Sequence, residues 1–176
     1  MKFHLWKIVL LTSLAFLFAW ICACNSPSQQ KKDELTFILK NLNQEDIKSE
    51  PDSLKNREEN VVSFIHSIEL FLQENPTDPD AHQWSFEIAQ LYLSELSDPL
   101  KACEWLKHTY SIYPTSISAP EALFLSANIY HQDLNDITQA RKLYQKFIQK
   151  YPDHPLTKQA FIELNNLPIP LPSQIK

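Results

Sequence analysis

From Leu54 onward the apolar positions return every three or four residues. Val61, Phe64, Ile65, Ile68, Phe71 and Leu72 make one stripe that stops at Asn75-Pro76, and that spacing predicts an amphipathic helix. Pro79-Asp80 opens the next helix, which runs to about Leu96. Ser97-Asp98-Pro99 then reads as a turn, with Asp98 as a cap and Pro99 at a first helical position that has no need of its N–H. The helix that follows carries Ala102, Leu106, Thr109, Tyr110 and Tyr113. Another starts near Ser118 and breaks at Asn135-Asp136. Ile137, Ala140, Leu143, Tyr144, Phe147 and Ile148 continue the pattern up to Tyr151-Pro152, and a last helix spans about Leu156 to Asn166. Upstream, Leu35, Phe37, Ile38, Leu39 and Leu42 predict a short apolar helix of two to three turns. Ser49-Glu50-Pro51-Asp52 breaks the chain after it, with Asp52 or Ser53 available as a cap.

The helices from residue 79 onward are written twice. A shift of 38 residues lays Ala81 on Ala119, Phe86 on Phe124, Ala89 on Ala127 and Tyr92 on Tyr130. It also lays Asp98 on Asp136, Ala102 on Ala140 and Tyr113-Pro114 on Tyr151-Pro152. Small residues recur where two helices touch, aromatics where they pack, and Asp and Pro where helices begin and end. The unit is therefore a helix–turn–helix brick that buries its apolar face against its neighbours. One step back, Ala102 meets Phe64 and Pro114 meets Pro76, so residues 54–76 hold the second helix of a degenerate earlier unit. One step forward, Ala122 meets Ala160, so the last helix opens a further unit and caps the stack.

Ala89, Tyr92, Ala102 and Pro114, repeated as Ala127, Tyr130, Ala140 and Pro152, resemble the tetratricopeptide repeat, whose usual period is about 34. The longer period is similar to that of periplasmic lipoproteins of the BamD and Tol-Pal-associated kind; Tyr151-Pro152-Asp153-His154-Pro155 after Ala140–Phe147 is the closest piece. The resemblance covers roughly residues 57–166. It implies an all-α fold, a short right-handed α-solenoid, and a non-enzymatic protein-binding role. It further implies that first helices line a groove, with Gln83, Phe86, Gln90 and Leu93 facing it in one unit and Glu121, Phe124, Asn128 and His131 in the next. Phe86 and Phe124 are either anchors for a partner or core between the units; Trp84 and Trp105 are read as packing. The resemblance offers no Lys/Arg cluster at these positions to clamp a C-terminal carboxylate.

The N-terminal stretch is read apart from the fold. Lys2 and Lys7 precede a nearly unbroken apolar run, Ile8 to Ala23, too short for the ~20 residues of a membrane span but suited to a signal sequence. Ile21-Cys22-Ala23-Cys24 looks like a bacterial lipobox. The expectation is cleavage before Cys24 and a covalent N-terminal lipid on it, an uncleaved helical anchor being the alternative. The resulting division is a signal peptide at 1–23, the lipidated cysteine with a flexible linker and short irregular helix at 24–52, the repeat domain at 53–166 and a Pro-rich extended tail at 167–176. Asn25 after the cysteine, in place of an Asp, points to the outer membrane, periplasm-facing. Removing residues 1–23 takes away two lysines and no acid, moving the net charge from −5 to −7. An acidic domain without a basic stripe does not read as a nucleic-acid binder. Only Cys103 then remains as a thiol, and within a helix it reads as a small buried hydrophobe.

Candidate chemistry is sparse. The chain has no glycine, and loops that cradle phosphates need it for close backbone approach, so nucleotide-binding fingerprints are excluded. None of the six histidines stands in an HExxH or paired i,i+4 arrangement, so no metal site is read, and no serine sits in a nucleophile elbow. The leading expectation is a protein-interaction adaptor held at a membrane in an envelope complex, and the family resemblance implies outer-membrane protein assembly or envelope coordination as its process. The alternatives are a periplasmic carrier for a peptide or small ligand, and an enzyme accessory with a hidden metal site.

Overall fold

A computed structural model describes residues 26–44 and 51–168. The segment read as a signal peptide, Cys24 and the end of the Pro-rich tail lie outside the described residues. The chain divides into two compact units, residues 1–46 and residues 47–176. Every regular element among the described residues is an α-helix, seven in all: α1 (Pro27–Gln44), α2 (Pro51–Glu74), α3 (Ala81–Ser94), α4 (Pro99–Ile112), α5 (Ser118–Gln132), α6 (Ile137–Lys150) and α7 (Thr157–Asn166). None of them is long and apolar enough to cross a membrane.

In the first unit the linker reading is corrected. Residues 27–34 are helical, and α1 has 18 residues, five turns in place of two or three. Local chemistry starts it early. The Ser26 hydroxyl accepts from the Gln29 N–H at 3.2 Å, and Pro27 stands at the first helical position. Along its first turns Gln29 donates to Asp33 at 2.9 Å and Lys31 pairs with Glu34 at 3.5 Å. Small polar residues here made a helix because the cap and these short-range pairs agree with one another.

In the second unit each helix packs on the next in chain order, and α3 also touches α5, so the first helices of consecutive repeats are neighbours. The 38-residue period is visible in the backbone. After α3, Glu95 and Leu96 both donate to the Leu91 carbonyl and Asp98 donates to Tyr92. After α5, Asp133 and Leu134 both donate to Ile129 and Asp136 donates to Tyr130. The two turns share a left-handed residue, Ser97 (φ 49°) and Asn135 (φ 51°). They also share a cap: the Asp98 carboxylate accepts from Lys101 N–H at 3.0 Å and that of Asp136 from Gln139 N–H at 2.9 Å. The connection between units repeats three times, with Asp78, Ser116 and His154 donating to the carbonyls of Asn75, Tyr113 and Tyr151. A chain without glycine thus takes its tight turns with Ser and Asn, whose short polar side chains tolerate the left-handed region at some cost.

The core runs along the array. Ala89, Ala102, Ala119, Ala122, Ala127, Ala140 and Ala160 are buried at the helix contacts, with Leu106, Leu123, Tyr144 and Phe147 filling between them. The start of α3 differs from those of α4 and α6. Asp80 sits at the N-cap without a side-chain bond into the helix; Asp78 instead accepts from the Asp80 N–H at 2.9 Å and so shapes the turn. At the end of the array, α7 stops at Asn166 and the chain becomes extended at Leu167 (φ −65°, ψ 136°). Leu167 is buried, and Arg141 of α6 donates to the carbonyls of Leu167 at 3.3 Å and Pro168 at 2.7 Å.

Candidate interaction surface

Four residues at spacing i, i+3, i+7 and i+10 share one face of a helix. On α3 these are Gln83, Phe86, Gln90 and Leu93; on α5 they are Glu121, Phe124, Asn128 and His131. Because α3 and α5 touch, the two rows lie on adjoining helices. His82 Nδ1 and the Ser118 hydroxyl, 2.9 Å apart, join the two helices near their starts.

The side chains in the rows divide by exposure. Gln83, Gln90 and Glu121 are exposed, whereas Phe86 and Leu93 are half-buried against the core cluster. Phe124 is also half-buried. Its ring meets Tyr144 edge-on with centroids 6.0 Å apart and Phe147 edge-on at 5.5 Å, the arrangement that aromatic quadrupoles favour. Phe124 therefore packs on the second helix of its own unit with one side and faces outward with the other. Asn128 accepts a hydrogen bond of 2.6 Å from the Tyr144 hydroxyl, so its amide is fixed in orientation. Burial and, second, the Glu163 carboxylate push the Tyr144 phenol well above its usual range, so at neutral pH it remains a donor to Asn128. His131 is half-buried with Nδ1 enclosed and without a hydrogen-bond partner in the structure.

One extension of the row was not assigned from sequence. A further shift of 38 places Gln159, Ile162 and Asn166 of α7 in register with Glu121, Phe124 and Asn128. Ile162 is 44% exposed and its neighbour Phe161 49%; among the described residues no second helix follows α7 to cover them as α4 and α6 cover the matching positions of the earlier units. The signal was available in Ala160, which the repeat register had already aligned with Ala122. The row thus offers two apolar centres on adjoining helices, Phe86 and Phe124, flanked by amides and one acid, with Ile162 of α7 at the same register position one unit on. Such a surface can seat an extended segment or a helix, with amide groups to meet its backbone.

Elsewhere the thiol and the rings behave as packing. Cys103 is free and buried, and desolvation raises its thiol to about 11, against which a hydrogen bond with Ser126 acts only in part. It is protonated and unreactive at neutral pH. Trp105 is half-buried against the core and tilted on His108 at 5.1 Å. Among the described residues no group of three or more His, Cys, Asp or Glu is placed to hold a metal ion.

No curated protein matches the chain. Residues 121–154 match a family model, that of the tetratricopeptide repeat. The matched stretch covers nearly all of α5, the capped turn at Asp136, all of α6 and the turn at Tyr151. The array therefore contains a tetratricopeptide repeat, of the kind whose stacked helices offer extended surfaces to other proteins.

Proposed function

We propose that this protein is a membrane-anchored adaptor that binds another protein of a bacterial envelope complex. The anchor is the lipid expected at Cys24, and the domain faces the periplasm from the outer membrane. The observation that carries the reading is the row of Phe86, Phe124 and Ile162 with its exposed amides, borne on helices of a tetratricopeptide array. Support for the anchor comes from Lys2, Lys7, the apolar run Ile8 to Ala23 and the Ile21-Cys22-Ala23-Cys24 sequence. Outer-membrane protein assembly or envelope coordination is the process that the family resemblance favours.

Two measurements test the parts separately. Replacing Cys24 with Ser should release the protein from the membrane fraction; retention there would replace the lipid with an uncleaved helical anchor. A photo-crosslinking residue at Gln90 or Glu121 in the full chain should yield one stoichiometric envelope protein. Capture of that protein should disappear in Gln83→Glu/Gln90→Glu at unchanged melting temperature. Crosslinks scattered over abundant proteins, or capture indifferent to the double change, would end the adaptor reading.

A further inference from the structure

The repeat supplies its own internal control for a cavity. Between α4, α5 and α6 lies a hollow of about 260 Å³. Its inner lining is Cys103 and Tyr110 of α4, Ser126 and Tyr130 of α5, and Leu143 of α6; Glu104 and Lys107 stand at its exposed mouth. Shifted back by one unit, the inner positions are Ile65, Leu72, Ile88, Tyr92 and Trp105, at the junction of α2, α3 and α4. The register is the same in three dimensions. Ile65 and Cys103 are each 3% exposed, Leu72 and Tyr110 each 7%, Ile88 0% and Ser126 2%.

The contents of the two junctions differ in one direction. Ile65 becomes Cys103, Ile88 becomes Ser126 and Trp105 becomes Leu143: three contractions against a single expansion, Leu72 to Tyr110. Two of the contractions bring a polar atom to a floor that is apolar one unit earlier. In the first junction Lys101 lies over the Tyr92 ring at 5.2 Å; in the second Gln139 takes that place beside Tyr130, and the cation over a ring is Lys146, 4.5 Å from the centroid of Tyr110. In a close-packed protein, volume given up at three matched positions, two of them buried, is an uncommon expense unless something occupies it.

The structure indicates what fits. The place of Leu143 is held one unit earlier by an indole, and the walls here are two phenol rings and a leucine, a lining that favours an aromatic guest. For scale, an engineered apolar cavity of ~150 Å³ takes up benzene, so 260 Å³ has room for two fused rings. The Ser126 hydroxyl, deeply buried at the floor and already hydrogen-bonded with Cys103, keeps a lone pair that can accept one further hydrogen bond. We propose that the cavity between α4, α5 and α6 is a binding site for an indole-sized aromatic ring carrying one N–H donor. The inference goes beyond the adaptor reading, since the ring can arrive as a tryptophan side chain of a partner or as a free indole compound.

The test uses the full chain in lipid nanodiscs and fluorine NMR of 5-fluoroindole. The wild type should give saturable line broadening at millimolar ligand or below. Leu143→Trp, which copies Trp105, and Ser126→Ile, which copies Ile88, should each weaken binding at least tenfold. Both variants import residues that the preceding unit already accommodates, and their helical circular dichroism verifies folding; if one fails to fold, the other decides. Binding that persists in the filled variants, as partition into the bilayer would, overturns the proposal. So does an absence of saturation in the wild type, or equal affinity for cyclohexanol, whose ring is saturated and not aromatic. Competition separates the sources: stronger displacement by N-acetyltryptophanamide supports a partner's side chain, and stronger displacement by free tryptophan supports a small ligand whose charged groups meet Glu104 and Lys107. The partner-capture experiment at Gln83 and Gln90 reads a different surface, so either proposal can fail alone.

Discussion

At the scale of single residues, Phe124 shows how one side chain serves both packing and surface. With one side against Tyr144 and Phe147, its replacement by Ala should cost about 2–3 kcal/mol, somewhat below the ~3–5 of a fully enclosed Phe. Gln90→Ala, at an exposed position of the preceding row, should stay within about 0.5 kcal/mol. Denaturant melts of the two variants check the contrast; a neutral Phe124→Ala would remove the ring from the core. Cys103 sets a pH dependence. Its folded thiol is raised from 9.0 to about 11, so above pH 9 the unfolded chain loses the proton first and binds fewer protons than the folded one. Stability contributed by the protonated thiol is then fully present below pH 9 and lost as pH rises toward 11. Burial raises Tyr110 and Tyr130 as well, which extends the loss upward. His108 acts at the other end. Burial lowers it, so its contribution is present above about pH 6.5 and fades as the pH falls. Melting temperatures from pH 5 to 11 should therefore fall on both sides of a neutral plateau, and Cys103→Ala should flatten the segment between 9 and 11.

At the scale of elements, the paired turns make the most direct predictions. Asp98 and Asp136 each satisfy one of the free N–H groups at the start of a second helix. Asp98→Ala and Asp136→Ala should each cost about 1 kcal/mol, and the double variant about the sum, since the caps serve different helices. Unequal costs would mean that the two turns are not energetic copies. Ser97 and Asn135 hold positive φ without glycine. Ser97→Gly should stabilise the fold by about 1 kcal/mol and Asn135→Gly by less, because Asn already tolerates that region; thermal denaturation measures both. These turns were legible in the sequence, because Asp-Pro and Asn-Asp fell between helical stripes. The early start of α1 was not. Its first eight residues are polar, and they became helical through Ser26, Pro27 and the side-chain pairs at i,i+3 and i,i+4, each too weak alone to outvote composition.

At the scale of the whole array, stability should follow nearest-neighbour contacts, since each helix rests chiefly on those beside it. Native-state hydrogen exchange should protect α5 and α6, which are covered on both sides, more than α7, whose Phe161 and Ile162 remain open. Equal protection in α7 would require a covering segment over that face. The same end effect limited the sequence reading of the surface. Ile162 stands open because no second helix follows α7 among the described residues, and hydrophobic spacing alone does not show what lies opposite a residue.

The sequence by itself determined the helices, their order and the 38-residue brick, because those depend on spacing, capping and turn chemistry within a few residues of chain. It also determined the polar and apolar character of the row on the first helices. The tertiary structure decided which members of that row are free. Gln83, Gln90 and Glu121 stand in solvent while Phe124 and Asn128 are engaged by Tyr144, since burial is a property of what lies opposite and not of the residue. It decided too that the junction of α4, α5 and α6 holds a hollow. Ile to Cys, Ile to Ser and Trp to Leu read as ordinary changes along a chain, and only their convergence on one point in space turns three small losses of volume into a cavity.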